Sequence, residues 1–357
     1  MSKKVVYFFL QPQGPPESSA YQHCAVAIAE GLRSLGLTCF SNLDYWRVRD
    51  DWLFRHDPAV QARDCPVVIW GDGYPYDPKA EGDLLDGRRT TVYVDSSDGW
   101  RTQAEQPRYR RFDVVLRTHC NAHYRYPANV HPWAFGLTER IIAACEKLTA
   151  AMAREPRALF NFRVGHPVRR VAEERVAPLL SKRFAIDRSL DDAPGPNGGP
   201  DRLYWEATGR RHYPGFYDRL RRSLVCAAFG GYFAPGRSGT TERFSERVLY
   251  KLASTFRFQT GTVMQFDSWR FWESLAAGCL TLQVDYGRYG CRLPEEPRSR
   301  VHYCGIEFGN RESESWILEA DVKDLELAAR SGREWALEHY SPRATARRLL
   351  KLLDEET

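Results

Sequence analysis

Residues 262–285 read TVMQFDSWRFWESLAAGCLTLQVD, and their period decides the architecture. A short extended piece enters a helix at Asp267 or Ser268, residues whose side-chain oxygens can cap the N–H groups of a first turn. Helical spacing runs from Trp269 to Ala277, and Gly278 supplies the stop. The next six residues, CLTLQV, form an apolar run of strand length closed by Asp285. Loop, helix, glycine turn and buried parallel strand make half of a doubly wound α/β unit.

On that helix Arg270, Glu273 and Ala277 share one side, while Trp272, Leu275 and Ala276 point to the core. One carboxylate thus lies on the less apolar side of a hydrophobic helix, near a terminus that favours phosphate. Two readings stay open. A nucleotide diphosphate can sit at the helix start with its ribose hydroxyls on Glu273, or Glu273 can pair with Arg270 within the helix for roughly 0.3 kcal/mol.

Outward from this unit, the second half shows the same grammar. An apolar run at 158–162 leads into Arg163 and Arg169, guanidiniums whose planar forks suit a diphosphate at a crevice, or which stand solvated at a helix start. A strand at 224–229 ends in Gly230 and Gly231, which permit close backbone approach to a ligand. Residues 191–200, DDAPGPNGGP, read as an exposed loop, and the basic run 210–222 as a helix face that is solvated or meets an anionic acceptor or lipid head groups.

The first half opens with a strand at 5–10, a loop QPQGPP, a helix from Ser18 or Ser19 to Leu35, and a returning strand at 38–40. The loop lacks G-x-G-x-x-G, so no nicotinamide or flavin site is expected there. Strands follow at 66–70, 91–94 and 112–116. If they are parallel, their tips share the sheet edge where ligands bind. Two tips carry candidate general bases, Asp95 and Asp98 after one strand and His119 and His123 after the next. Loop acids and surface histidines are the plain alternatives. The D-x-x-D spacing of the acids does not match the D-x-D of metal-dependent transferases, and no metal site is assigned.

A chain of 357 residues predicts two domains of about 150 residues each. Hydrophobic residues at 43% with 27% charged exclude a disordered chain, and a net charge of +5 is too weak and dispersed to predict a nucleic-acid partner. Nine cysteines without a C-x-x-C pair read as reduced core thiols, which predicts a cytoplasmic protein. No stretch is long enough to span a bilayer, so any membrane contact is expected to be peripheral.

The segment RFWESLAAGCLTL, residues 270–282, resembles the donor-site segment of GT-B glycosyltransferases, especially the group 1 (family 4) type and the exostosin-like enzymes. The family 4 pattern has two glutamates separated by seven residues; here Glu273 holds the second position and Gln265 the first. Residues 331–353, SGREWALEHYSPRATARRLLKLL, are similar to the ending of such enzymes, in which a last helix crosses back to the first domain. The resemblance implies an α/β fold of two Rossmann-like domains facing across a cleft that closes on nucleotide. It places an acceptor-binding domain at 1–138, a linker helix at 139–157, a donor domain at 158–338 and the crossing helix at 339–357. Donor-binding residues would be Glu273 on the ribose, Gln265 facing the sugar, and Arg270, Asp267, Ser268, Arg163, Arg169, Gly230 and Gly231 around the diphosphate.

The function expected is metal-independent transfer of a sugar from a nucleotide-diphosphate sugar to a hydroxyl of a glycan or lipid-linked acceptor. The nucleotide sugar is the co-substrate and no other cofactor is implied. A GT-B-type nucleotide-sugar epimerase, or a non-catalytic nucleotide-sugar-binding partner in a glycan-assembly complex, would use the same fold.

Overall fold

The computed structural model describes residues 5–12, 21–71, 74, 82–97, 106–146, 154–191, 194–234 and 260–355. Its first half contains β1 (Val5–Phe9), α1 (His23–Ser34), β2 (Thr38–Ser41), β3 (Tyr45–Val48), β4 (Asp51–Phe54), β5 (Val67–Trp70), β6 (Thr90–Asp95), β7 (Val114–Arg117) and β8 (Val130–Pro132). Six of these strands form one sheet in the order β2-β1-β5-β6-β7-β8, with every neighbouring pair parallel. Runs such as VVLR in β7 are buried at every position, as strands covered on both faces must be. The remaining two, β3 and β4, pair as an antiparallel hairpin beside the sheet edge.

After α2 (Glu139–Glu146) the chain builds a second sheet from β9 (Glu155–Leu159), β10 (Ala185–Asp187), β11 (Ser223–Ala227), β14 (Leu280–Val284) and β15 (Cys304–Ile306). Its order is β10-β9-β11-β14-β15, again all parallel. The short strands β12 (Tyr232–Phe233) and β13 (Val263–Met264) pair separately, antiparallel. Helices α3 (Gly199–Ala207), α4 (Pro214–Arg222), α5 (Trp269–Ala276), α6 (Arg311–Glu319) and α7 (Val322–Tyr340) belong to this half. The last helix, α8 (Pro342–Glu355), crosses back to the first sheet. Its Ala346, Leu349 and Leu353 join the core formed by α1 and the strands beneath it.

The expected strands are present, with β9 beginning three residues earlier than its apolar run suggested, at Glu155. The long linker helix is described only as α2, because residues 147–153 lie outside the described residues and Arg154 is already non-helical. Ser18 and Ser19 also lie outside them, and α1 is described from His23. All nine cysteines are buried and free, in agreement with core thiols. Among the described residues no helix is long and apolar enough to cross a membrane.

Several ties hold the two sheets' ends against each other. Beyond β7, Ala122 N–H donates to Gly290 O at 2.7 Å and Arg292 N–H donates to Cys120 O at 2.9 Å. Between these, the Asn121 amide donates to Val263 O at 3.1 Å and Tyr289 O at 2.8 Å. At the linker, Leu137 N–H donates to Tyr340 O at 3.0 Å.

Candidate active site at the domain junction

Helix α5 starts where the halves meet, and its first residues do not use the caps that the sequence suggested. Ser268 is the N-cap in extended conformation, yet its hydroxyl makes no capping bond. Asp267 turns instead toward the other half, where Oδ2 accepts Phe135 N–H at 2.7 Å and Oδ1 accepts Trp272 Nε1–H at 2.6 Å. Burial pushes the Asp267 carboxyl up to about 7. Ser268 Oγ and Arg270 Nε are buried without a hydrogen-bond partner among the described residues. Such groups carry a desolvation cost of about 1–3 kcal/mol each unless something satisfies them.

One turn further, Glu273 is largely withdrawn from solvent and makes no ion pair within 4 Å with Arg270, although its charge still acts on that guanidinium. Its side chain is 12% exposed, and Oε1 accepts the Tyr217 hydroxyl at 2.7 Å with Arg140 Nη2 at 3.9 Å. Arg140, on α2, also directs Nη1 at Tyr217 Oη, 2.7 Å away, and at His212 Nδ1, 2.8 Å away. The carboxylate therefore lies at the junction, where the linker helix, α4 and α5 converge.

Gln265 adopts φ +57° in the segment before α5, and that segment is what the glycine pair accommodates. A Cβ on Gly231 would stand 2.1 Å from Met264 O, and one on Gly230 would stand 3.2 Å from Gln265 O. Close approach at these glycines is therefore to the chain's own backbone. Arg169 is likewise occupied, donating from Nε to Phe229 O at 2.9 Å, while Arg163 is exposed on the same loop.

Two of the expected general bases are enclosed. Asp95 is 2% exposed; its Oδ1 lies 2.6 Å from Arg117 Nη1 and accepts Ser97 N–H at 2.9 Å, and its Oδ2 accepts the Tyr109 hydroxyl. Burial alone would raise its pKa, but the Arg117 charge and the bonds from Ser97 and Tyr109 hold it below the usual carboxylate value. His119, fully buried at φ +56°, accepts Asp267 N–H at Nδ1 at 3.2 Å. Burial first, and the Arg117 charge second, lower its pKa to about 3. These geometries make Asp95 and His119 parts of the frame, which corrects their expected role as bases. Asp98 lies outside the described residues. His123 is exposed at the junction, with Nδ1 2.6 Å from Thr262 Oγ1.

Sequence reasoning passed over Arg140, Tyr217 and Thr262; His212, expected on a solvated or anion-facing basic run, is instead buried at 3% exposure. Arg140 had a signal: it opens the apolar run RIIAAC, where a guanidinium enters a helix face bound for the interior. Among the described residues no cluster of three or more His, Cys, Asp or Glu side chains is placed to hold a metal.

The architecture is that of known enzymes. An alpha-glucosyltransferase solved with UDP-glucose and DNA containing an abasic site superposes with a TM-score of 0.53 at 9% identity, over 98% of this chain and 99% of that one. A glycosyltransferase from Rickettsia africae ESF-5 superposes with a TM-score of 0.51 at 11% identity, over 100% and 99% respectively. No protein-family model and no curated protein matches the chain. At these identities the likeness concerns the fold, which is GT-B: two Rossmann-like domains with a last helix returning to the first.

Proposed function

We propose that this protein is a glycosyltransferase that moves a sugar from a nucleotide-diphosphate sugar to an acceptor hydroxyl, without a metal ion. The observation that carries the reading is the start of α5. There Ser268 Oγ and Arg270 Nε are buried and unsatisfied among the described residues, and Glu273 follows one turn later with its carboxylate held in place. A diphosphate would satisfy the first two and the helix N-terminus, while ribose hydroxyls would donate to Glu273. Arg163 and Gln265 complete the donor side. Supporting this assignment, the similar fold of the alpha-glucosyltransferase was solved with UDP-glucose. The spacing of Gln265 and Glu273, and the segment 270–282, favour the family 4-like type.

Because Asp95 and His119 are enclosed, His123 is the base we assign, with Asp98, outside the described residues, as the second candidate. The exposed imidazole there can take the proton of an incoming hydroxyl. The acceptor we assign is a glycan or lipid-linked hydroxyl; since the alpha-glucosyltransferase was solved with DNA, duplex DNA belongs in the acceptor screen.

The test is nucleotide affinity by calorimetry. Replacing Glu273 by Ala removes an acceptor worth about 1.5–3 kcal/mol to a bound hydroxyl, so Kd should rise roughly 10- to 100-fold while the far-UV spectrum is unchanged. A folded variant with wild-type affinity would remove the donor assignment.

A further inference from the structure

Resting on that reading of Glu273, we infer that Arg140 and Tyr217 are positioning residues that aim one oxygen of the donor-binding carboxylate, and that the interdomain linker thereby sets nucleotide affinity. The proton directions are dictated by chemistry. Arginine donates and never accepts, so the Tyr217 oxygen, 2.7 Å from Arg140 Nη1, must accept from it. The single proton of the phenol is then left for Glu273 Oε1 at 2.7 Å. For the same reason His212 Nδ1 accepts from Nη1 at 2.8 Å, which puts its proton on Nε2, 3.1 Å from Asp201 Oδ1. His212 is thus a neutral acceptor, and burial together with the Arg140 charge keeps it so, at about 4.

The network is directional from end to end. No other hydrogen bond reaches the Glu273 side chain among the described residues, so its second oxygen is the one available to a ligand hydroxyl. The source of the aim lies outside the donor domain. Arg140 sits in the second position of α2, directly after the junction, and its charge also reaches Tyr21 and Glu30 on the first half.

A double-mutant cycle separates aiming from mere packing. The probe is whichever of UDP, GDP, ADP, CDP and dTDP raises the wild-type Tm most. Tyr217→Phe deletes one oxygen from a buried ring and should raise Kd for that nucleotide about tenfold. In a Glu273→Ala background it should raise it no further, because its only route to the ligand is gone. With an active donor, Tyr217→Phe should raise the donor KM and leave kcat within about twofold. Arg140→Lys keeps the charge but loses the planar fork, and should follow the same non-additive pattern should the phenylalanine variant not fold.

Additive losses in the cycle, or unchanged Kd in Tyr217→Phe with Glu273→Ala still impaired, overturn this inference and leave the donor assignment standing. An unimpaired Glu273→Ala, or no binding of any of the five nucleotides, overturns both.

Discussion

Asp267 and Glu30 grip the segment that joins the two sheets at Phe135 and Glu139. Asp267 takes Phe135 N–H at 2.7 Å, and Glu30 Oε2 takes Glu139 N–H at 2.8 Å, the start of α2, with Trp46 Nε1 on its other oxygen at 3.3 Å. Burial moves both carboxyls up, Asp267 from 3.8 to about 7 and Glu30 from 4.5 to about 8. Between those limits the folded state holds more protons than the unfolded one, so this contribution to stability is full at low pH and is lost as pH climbs toward 8. The buried His23 and His119, both lowered to about 3, act with the opposite sign and weaken the fold as pH falls below 6.5. Urea titrations from pH 5 to 8 should therefore show a shallower decline of stability with rising pH in Asp267→Asn than in wild type. Identical slopes would show that this carboxylate titrates alike folded and unfolded.

At the scale of elements, the contact between α1 and α8 is closer than side chains would allow. Gly31 faces the first residue of α8, and a Cβ there would stand 1.9 Å from Pro342 O and 2.6 Å from the Ala346 methyl. The small residues Gly31 and Ala346 bring the backbones together, so the crossing helix seats its Ala346 and Leu349 in the core of the first sheet. Gly31→Ala gains helix propensity but must push α8 away, and overpacking of this kind costs about 1–3 kcal/mol. Its denaturation midpoint in urea should drop with an unchanged m-value. A midpoint at or above wild type would mean that α8 gives way at no cost.

The whole molecule is stitched rather than hinged. The strand-like pairing of residues 120–122 with 290–292, the Asn121 amide on Val263 and Tyr289, the Asp267 bond to Phe135, and α8 on α1 all bridge the two halves. A wide opening would break backbone hydrogen bonds at several separate places at once. The closure on nucleotide expected from the sequence resemblance therefore gives way to a narrower expectation. Small-angle scattering should return the same radius of gyration with and without saturating nucleoside diphosphate. Compaction on binding would show that these ties open in solution.

What the sequence determined by itself was whatever depends on neighbours along the chain. The period of 262–285 predicts α5, its Gly278 stop at φ +71° and the buried β14, because helix, turn and strand are decided by spacings of two to four residues. The β3/β4 hairpin carries no turn signal in the sequence, since its turn holds Arg49 at φ +55° in place of a glycine or asparagine. Only the tertiary structure decided how each charge is spent. Asp95 reads as a candidate base in the sequence and lies in the fold beside Arg117, and Glu273, which reads there as a ribose ligand or as the partner of Arg270, accepts from Tyr217, 56 residues away. A buried polar group takes its role from its partners in space, and the short-range periodicity that reveals a strand or a helix carries no record of them.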